Sequence, residues 1–142
     1  MASILKVDDL RGNTSAGDIT VTGEGTATMQ LQQGLAKVWS HFQGSGTATV
    51  LDSFNQSSLT DSGTGQYKVN KTNNMGSVNY STPCQSAPTS GGSTYALGMI
   101  GDQYTAKTTS SSLFLFLTRS SLLGDSYGDT AFYDMAALGD LA

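Results

Sequence analysis

Polar and apolar residues alternate most regularly in residues 50–70. Tyr67 and Val69 stand between Gln66, Lys68 and Asn70, which is the period-two pattern of a half-buried strand. A second strand precedes it, with apolar positions at Val50, Leu51, Phe54 and Leu59. The polar turn between them, residues 60–65, holds two glycines that tolerate positive φ. The pattern therefore predicts a β-hairpin with a long, bulged connection.

Short strands separated by turn signals are predicted along the rest of the chain. They include residues 36–42, 95–100 and 113–117, while residues 130–138 close the chain with Phe132 as their core anchor. Residues 26–31 alternate like a strand, although the run 29–40 also fits the start of a helix. Residues 82–93 and 122–129 are predicted loops. Roughly nine strands with regular turn signals predict an all-β fold, a single jelly-roll-like β-sandwich that we expect to be oligomeric.

The most hydrophobic run, LFLFL at residues 113–117, predicts a strand that is buried on both faces. Its alternative is an oligomer interface, because a small domain has few places to bury five large side chains. The expected core consists of Trp39, Phe54, Tyr67, Val69, Phe114 and Phe116.

Composition narrows the classes of partner. The 142 residues carry a formal net charge of −4, and their seven basic residues are scattered. Nucleic-acid binding requires clustered Lys and Arg, so we expect no nucleic-acid partner. Since no run approaches a membrane span and the N-terminal residues lack a signal-peptide pattern, we expect no membrane insertion. Cys84 is the only cysteine, which fits assembly in a reducing cytoplasm.

Residues 1–25 are predicted to form an N-terminal arm, and residues 26–142 the sandwich domain. The apolar residues of the arm are too few for a core of their own. They are the candidate oligomer or attachment interface: Ile4, Leu5, Val7, Ile19 and Val21. The alternative is that these short strands add to the chain's own sheet.

No residue pattern indicates catalysis, so we expect neither an enzyme nor a cofactor. His41 is the only histidine, and a Ser-His-Asp triad would need it beside a serine and an aspartate. Carboxylate pairs for glycoside hydrolysis occur in no recognisable motif. Asp125 and Asp129, with Ser126 and Tyr127, could offer oxygens to calcium, but such residues usually bond their own turns, and we expect no metal. The tyrosines could stack on sugars or lie at the core margin.

A resemblance is carried by residues 52–55 (DSFN), 57–61 (SSLTD), 63–65 (GTG) and Tyr67. Residues 27–37 (ATMQLQQGLAK), Trp39, Gly44, Gly46 and the terminal GDLA extend it. These residues resemble a motif of fibre-like virion structural proteins of tailed bacteriophages, of the type common in marine phages. Gln56 and Lys71 depart from the pattern, which usually has an aliphatic and an aromatic residue there.

The resemblance implies a structural protein of a virion, assembled in the host cytoplasm. We expect a short fibre-like appendage or a capsid decoration (cement) protein, a homotrimer that contacts other virion proteins such as major capsid or tail proteins. The alternative is a receptor- or glycan-binding module of a tail fibre, whose partner is a host surface glycan.

Overall fold

The chain forms two compact units, Met1–Leu35 and Ala36–Ala142. The computed structural model describes residues 6–13, 19–22, 28–31, 34–87, 94–99, 107–120 and 124–142, and the elements below belong to these residues. Their regular structure consists of strands, and they contain no helix. The described residues accordingly offer no helix with the length and apolar character to cross a membrane.

The first unit contains one small antiparallel pair. Strand β1 (Thr20–Thr22) pairs with β2 (Thr28–Gln30), and the Leu31 amide donates to the Ile19 carbonyl at 2.7 Å. Because residues 28–30 pair with the arm, the unit extends to residue 35 instead of ending at residue 25.

The candidate attachment residues fall in this first unit. Val7 and Val21 are exposed and Ile19 is half-buried, while Ile4 and Leu5 lie outside the described residues.

The second unit contains nine of the described strands in two antiparallel sheets. They are β3 (Ala36–Gln43), β4 (Thr49–Phe54), β5 (Gln56–Gly63), β6 (Gln66–Lys71), β7 (Cys84–Ala87), β8 (Thr94–Met99), β9 (Ser111–Ser120), β10 (Gly124–Tyr127) and β11 (Phe132–Leu138). One sheet has the order β4-β3-β11-β7; the other has β10-β9-β6-β5, with β8 also paired to β9. The all-β prediction is confirmed. Strands β7 and β10 occupy stretches that were predicted to be loops.

The core lies between these two sheets. Phe42 and Tyr133 come from the four-stranded sheet and Tyr67 from the five-stranded sheet, and the three rings lie with centroids 4.8–5.2 Å apart. Val69 and Phe114 are fully buried in the same cluster, as expected. Aromatic contact across the core therefore joins the two sheets.

The prediction that Trp39 and Phe54 belong to the core is wrong. Trp39 is 37% exposed and Phe54 is 53% exposed. Strand β3 alternates from Val38 onward, and its inward face carries Val38, Ser40 and Phe42. Trp39 consequently points outward, and Phe54 is its direct partner on β4, so both belong to the outer face of the sheet.

The prediction that Phe132 anchors the last strand in the core is also wrong. Phe132 is 40% exposed, whereas Tyr133 is fully buried, because the inward residues of β11 are Tyr133, Met135 and Ala137. In β9, Phe114 and Leu115 are adjacent and both buried, so this part of the strand is covered on both faces, as predicted. The side chain of Phe116 lies outside the described part of the chain.

The stretch that was predicted to be a single hairpin contains three strands, which belong to two sheets. Strands β5 and β6 form the hairpin, with a bulge between Asp61 and Gly63, whereas β4 belongs to the other sheet. The chain passes from one sheet to the other at Asn55, whose φ is 55°.

The Asn55 side chain fixes this corner. Its Nδ2 donates to the Lys37 carbonyl at 3.0 Å and to the Asn73 carbonyl at 3.2 Å. The Asn55 Oδ1 accepts from the Asn73 amide at 2.7 Å, and the backbone carbonyl of Asn55 accepts from the Thr72 amide at 3.1 Å.

A buried hydroxyl network closes one end of the core. Tyr67 Oη lies 2.7 Å from Asp129 Oδ1 and 3.0 Å from the Gly44 carbonyl, and the Gly65 amide donates to the same Asp129 oxygen at 2.7 Å. Burial, followed by the hydrogen bond with Asp129, raises the pKa of Tyr67, so its hydroxyl stays protonated and donates. A Cβ on Gly44 would overlap the Tyr133 ring.

Candidate functional site

The outer face of the four-stranded sheet presents side chains in three rows across the strands. The first row runs from Phe54 through Trp39 to Ala136, as the strand register dictates. The second row crosses all four strands: Asp52, His41, Asp134 and Gln85. The third row contains Gln43, Phe132 and Ala87. A polar row therefore lies between two rows that carry exposed aromatic rings.

The polar row is tied together by hydrogen bonds. His41 Nδ1 lies 2.6 Å from Asp134 Oδ1, and Gln85 Nε2 donates to Asp134 Oδ2 at 3.2 Å. Because an ionised carboxylate can only accept, His41 Nδ1 carries the proton in this bond. The His41 ring also stacks on Phe132, with centroids 5.7 Å apart and planes 18° apart. The imidazole orientation is thus set by one hydrogen bond and one aromatic contact.

A shallow pocket lies at one end of the polar row. It has a volume of about 270 Å³ and is lined by Pro83, Cys84, Gln85, Asp134, Met135 and Ala136. Gln85 and Asp134 thus belong to both the row and the pocket. Burial raises the pKa of the Cys84 thiol to about 11, so this sulfur is a neutral apolar wall at pH 7.

A Ser-His-Asp triad would need a serine hydroxyl beside the His41–Asp134 pair. Within the described ranges, His41 is hydrogen-bonded to Asp134 and stacked on Phe132, and no serine hydroxyl is hydrogen-bonded to the imidazole. In the structure the pair forms a fixed polar contact on the outer face of the sheet.

A second polar cluster is enclosed by the fold. Lys71 Nζ donates to Tyr80 Oη and to Ser112 Oγ, both at 3.0 Å, and the two hydroxyls lie 2.9 Å apart. Tyr80 Oη lies 2.8 Å from the Thr108 carbonyl and can donate to it. All three side chains of the triangle are buried, so the cluster is shielded from a substrate.

The Lys71 ammonium lies in an unfavourable place for a charge. Burial, together with the nearby charge of Lys107, lowers its pKa from 10.5 to about 8. Both lysines lie over the Tyr80 ring, at 4.6 Å and 4.4 Å from the centroid. The aromatic face offsets part of the cost of burial.

Of the other candidate residues from the sequence, the structure describes the side chains of some and not of others. Asp129 is occupied by its bonds to Gly65 and Tyr67, and the side chains of Asp125, Ser126 and Tyr127 are not among those described. Across the described side chains, no group of three or more His, Cys, Asp or Glu could hold a metal ion. Tyr67, Tyr80 and Tyr133 are buried.

Sequence reasoning missed the aromatic residues of this face because it assigned Trp39, Phe54 and Phe132 to the core. The alternation of each strand separates an inward set from an outward set, and that signal was present. What was missing was the pairing of β3 with β4 and β11, which brings residues from three distant stretches to one surface.

No protein-family model matches the chain, and neither a curated protein nor a solved structure matches it.

Proposed function

We propose that the chain is a structural protein of a tailed-phage virion, either a short fibre-like appendage or a capsid decoration protein. The motif resemblance supports the virion context. The observation that carries a contact role is the outer face of the four-stranded sheet, where Trp39, Phe54 and Phe132 are exposed on paired strands. Exposed aromatic residues gathered on one face are typical of a surface that binds a partner.

The same proposal includes a jelly-roll-like β-sandwich that assembles as a homotrimer. The shared core of the two sheets supports a sandwich, and the first unit supplies apolar surface for assembly. Val7, Leu10 and Val21 are exposed in that unit. Exposed apolar side chains can bind a second copy or another virion protein, and the edges of a short strand pair can add a strand from either.

Locating the protein on purified particles tests the virion assignment. Gold-labelled antibodies against the full chain should decorate particles, and chemical cross-linking should connect the chain to a capsid or tail protein. A chain found only in the soluble fraction of the host lysate would overturn the assignment.

Two substitutions in the first unit test its attachment role. Val7→Asp with Leu10→Asp, in the full chain, should leave the circular dichroism spectrum unchanged and reduce incorporation into particles. Val78→Asp is the matched control, since Val78 is a similarly exposed valine in the second unit. Equal losses in the control and in the double variant would rule out a specific role for the first unit.

A second candidate function is a receptor- or glycan-binding module of a tail fibre. The alternation of aromatic and polar rows on the outer face favours it, because a sugar or a protein side chain needs both apolar contact and hydrogen bonds. Purified full-length chain should then compete with phage for adsorption to host cells. Unchanged adsorption at saturating chain would exclude this candidate.

A further inference from the structure

Three features of the outer face belong together: two rows with aromatic rings, a fixed polar row between them, and a pocket at the end of the polar row. Trp39 and Phe54 face each other in the first row, and Phe132 lies in the third. The rows of Trp39 and Phe132 are four residues apart along the strands, about 13 Å at 3.3 Å per residue. A ligand that touches both rows is thus longer than a single sugar ring.

The surface chemistry matches a saccharide. A pyranose ring has an apolar face of C–H groups, which packs on an aromatic ring, and a rim of hydroxyls, which donate and accept hydrogen bonds. At the pocket, the Asp134 carboxylate offers acceptors and the Gln85 amide offers donors. His41 restrains the Asp134 carboxylate, and Phe132 restrains the His41 imidazole. Pre-organised polar groups lose little freedom when they bind.

Charge narrows the class of saccharide. Asp52 and Asp134 lie on either side of His41 in the polar row, and the whole chain carries −4. Two carboxylates in this row repel uronates, sialates and sulfated sugars, since like charges that approach closely disfavour binding. Neutral hexoses and N-acetylated amino sugars avoid this penalty.

We propose that the outer face binds a neutral oligosaccharide, which lies along β3 and β11, stacks on Trp39 and Phe132, and places a ring in the pocket beside Asp134 and Gln85. This inference rests on the second candidate function above. It specifies the ligand class, which that candidate leaves open.

Trp39 makes the test direct, because it is the only tryptophan of the chain. Titration of the full chain with neutral hexasaccharides of glucose, mannose and N-acetylglucosamine should change the tryptophan fluorescence with at least one of them. Isothermal calorimetry should give the same affinity. Oligogalacturonate of equal length should bind at least about tenfold more weakly.

Variants then assign the site. Phe132→Ala and Trp39→Ala should each weaken binding about tenfold or more by calorimetry. Val78→Ala, an exposed apolar control outside the strands of this face, should bind like the wild type. Asp134→Asn should narrow the preference for neutral over acidic sugars.

Three results would overturn the inference. The first is absence of binding to every neutral probe, and the second is equal binding by the wild type and the Phe132→Ala variant. The third is a change of oligomeric state in Trp39→Ala, measured by light scattering, because it would mean that a second copy covers the face. Each of these leaves the particle-labelling test unaffected, so the ligand class can fail while the virion assignment stands.

Discussion

Replacing Lys71 with methionine should remove a specific dependence of stability on pH. The ammonium is buried with hydroxyl partners at Tyr80 and Ser112, and its pKa is lowered from 10.5 to about 8. At 1.36 kcal/mol per pH unit, that lowering corresponds to about 3 kcal/mol of unfavourable charge burial.

The direction follows from proton binding. Below pH 8 Lys71 is protonated in both the folded and the unfolded chain, so the whole cost is present. Between pH 8 and 10.5 the unfolded chain binds more protons, and stability therefore rises with pH. Integration from pH 7 to pH 10 gives a gain of about 2.5 kcal/mol in the free energy of unfolding from this residue.

Urea unfolding of the wild type and of Lys71→Met at pH 7 and pH 10 measures this difference. The variant should be at least as stable as the wild type at pH 7, since a thioether of similar length carries no charge to bury. Its advantage should shrink by about 2.5 kcal/mol at pH 10.

Lys68→Met is the matched control, because Lys68 lies on the same strand and is only half-buried. The control should follow the pH profile of the wild type. Parallel profiles for Lys71→Met and the wild type would refute the reasoning, because they would mean that the Lys71 charge is fully compensated in the fold.

Three further substitutions probe the packing by denaturant melting. Gly44→Ala should cost about 3 kcal/mol or more, because its Cβ would overlap the rigid Tyr133 ring; a loss below about 1 kcal/mol would show that the ring moves aside easily. Phe114→Ala should cost about 3–5 kcal/mol, since the ring is fully buried, and a loss near zero would contradict that burial. Gln56→Met should stabilise by about 1 kcal/mol, because both polar atoms of the Gln56 amide are buried with no partner in the described structure; a destabilised variant would show that the amide is hydrogen-bonded.

The strand alternation could be predicted from the sequence, but its inward side could not. In β3 the two faces carry Phe42 and Trp39, so both contain an aromatic residue. Alternation separates the faces and leaves open which of them meets the core. The pairing of β3 with β4 and β11 decides this, and the residues involved lie far apart in the sequence.

The corner at Asn55 is only weakly indicated by the sequence. A change of sheet usually occurs through a turn with Gly or Pro, whereas here one asparagine adopts a positive φ. Asparagine tolerates this conformation better than other non-glycine residues do, but the surrounding run of polar and apolar residues reads as a continuous hairpin. The sequence pattern therefore merged β4 and β5.

The outer-face site could not be predicted from the sequence because its central contact is long-range. His41 and Asp134 are 93 residues apart and meet only through the register of β3 and β11. Composition offered an abundance of aspartates around one histidine, so no single partner could be chosen. The register makes the choice unique.

The Asn55 corner should also affect how the second unit resists a stretching force. Within the second unit, one residue holds the carbonyl of Lys37, the carbonyl and amide of Asn73, and the amide of Thr72. A pulling force that separates the two sheets at this point loads the Lys37 bond on one side of Asn55 and the three bonds to Asn73 and Thr72 on the other side. Because the connection between β4 and β5 is a single residue, it has none of the slack that a flexible loop would have to take up first. We therefore expect the corner to behave as a stiff joint, at which the two sheets part late when the chain is stretched.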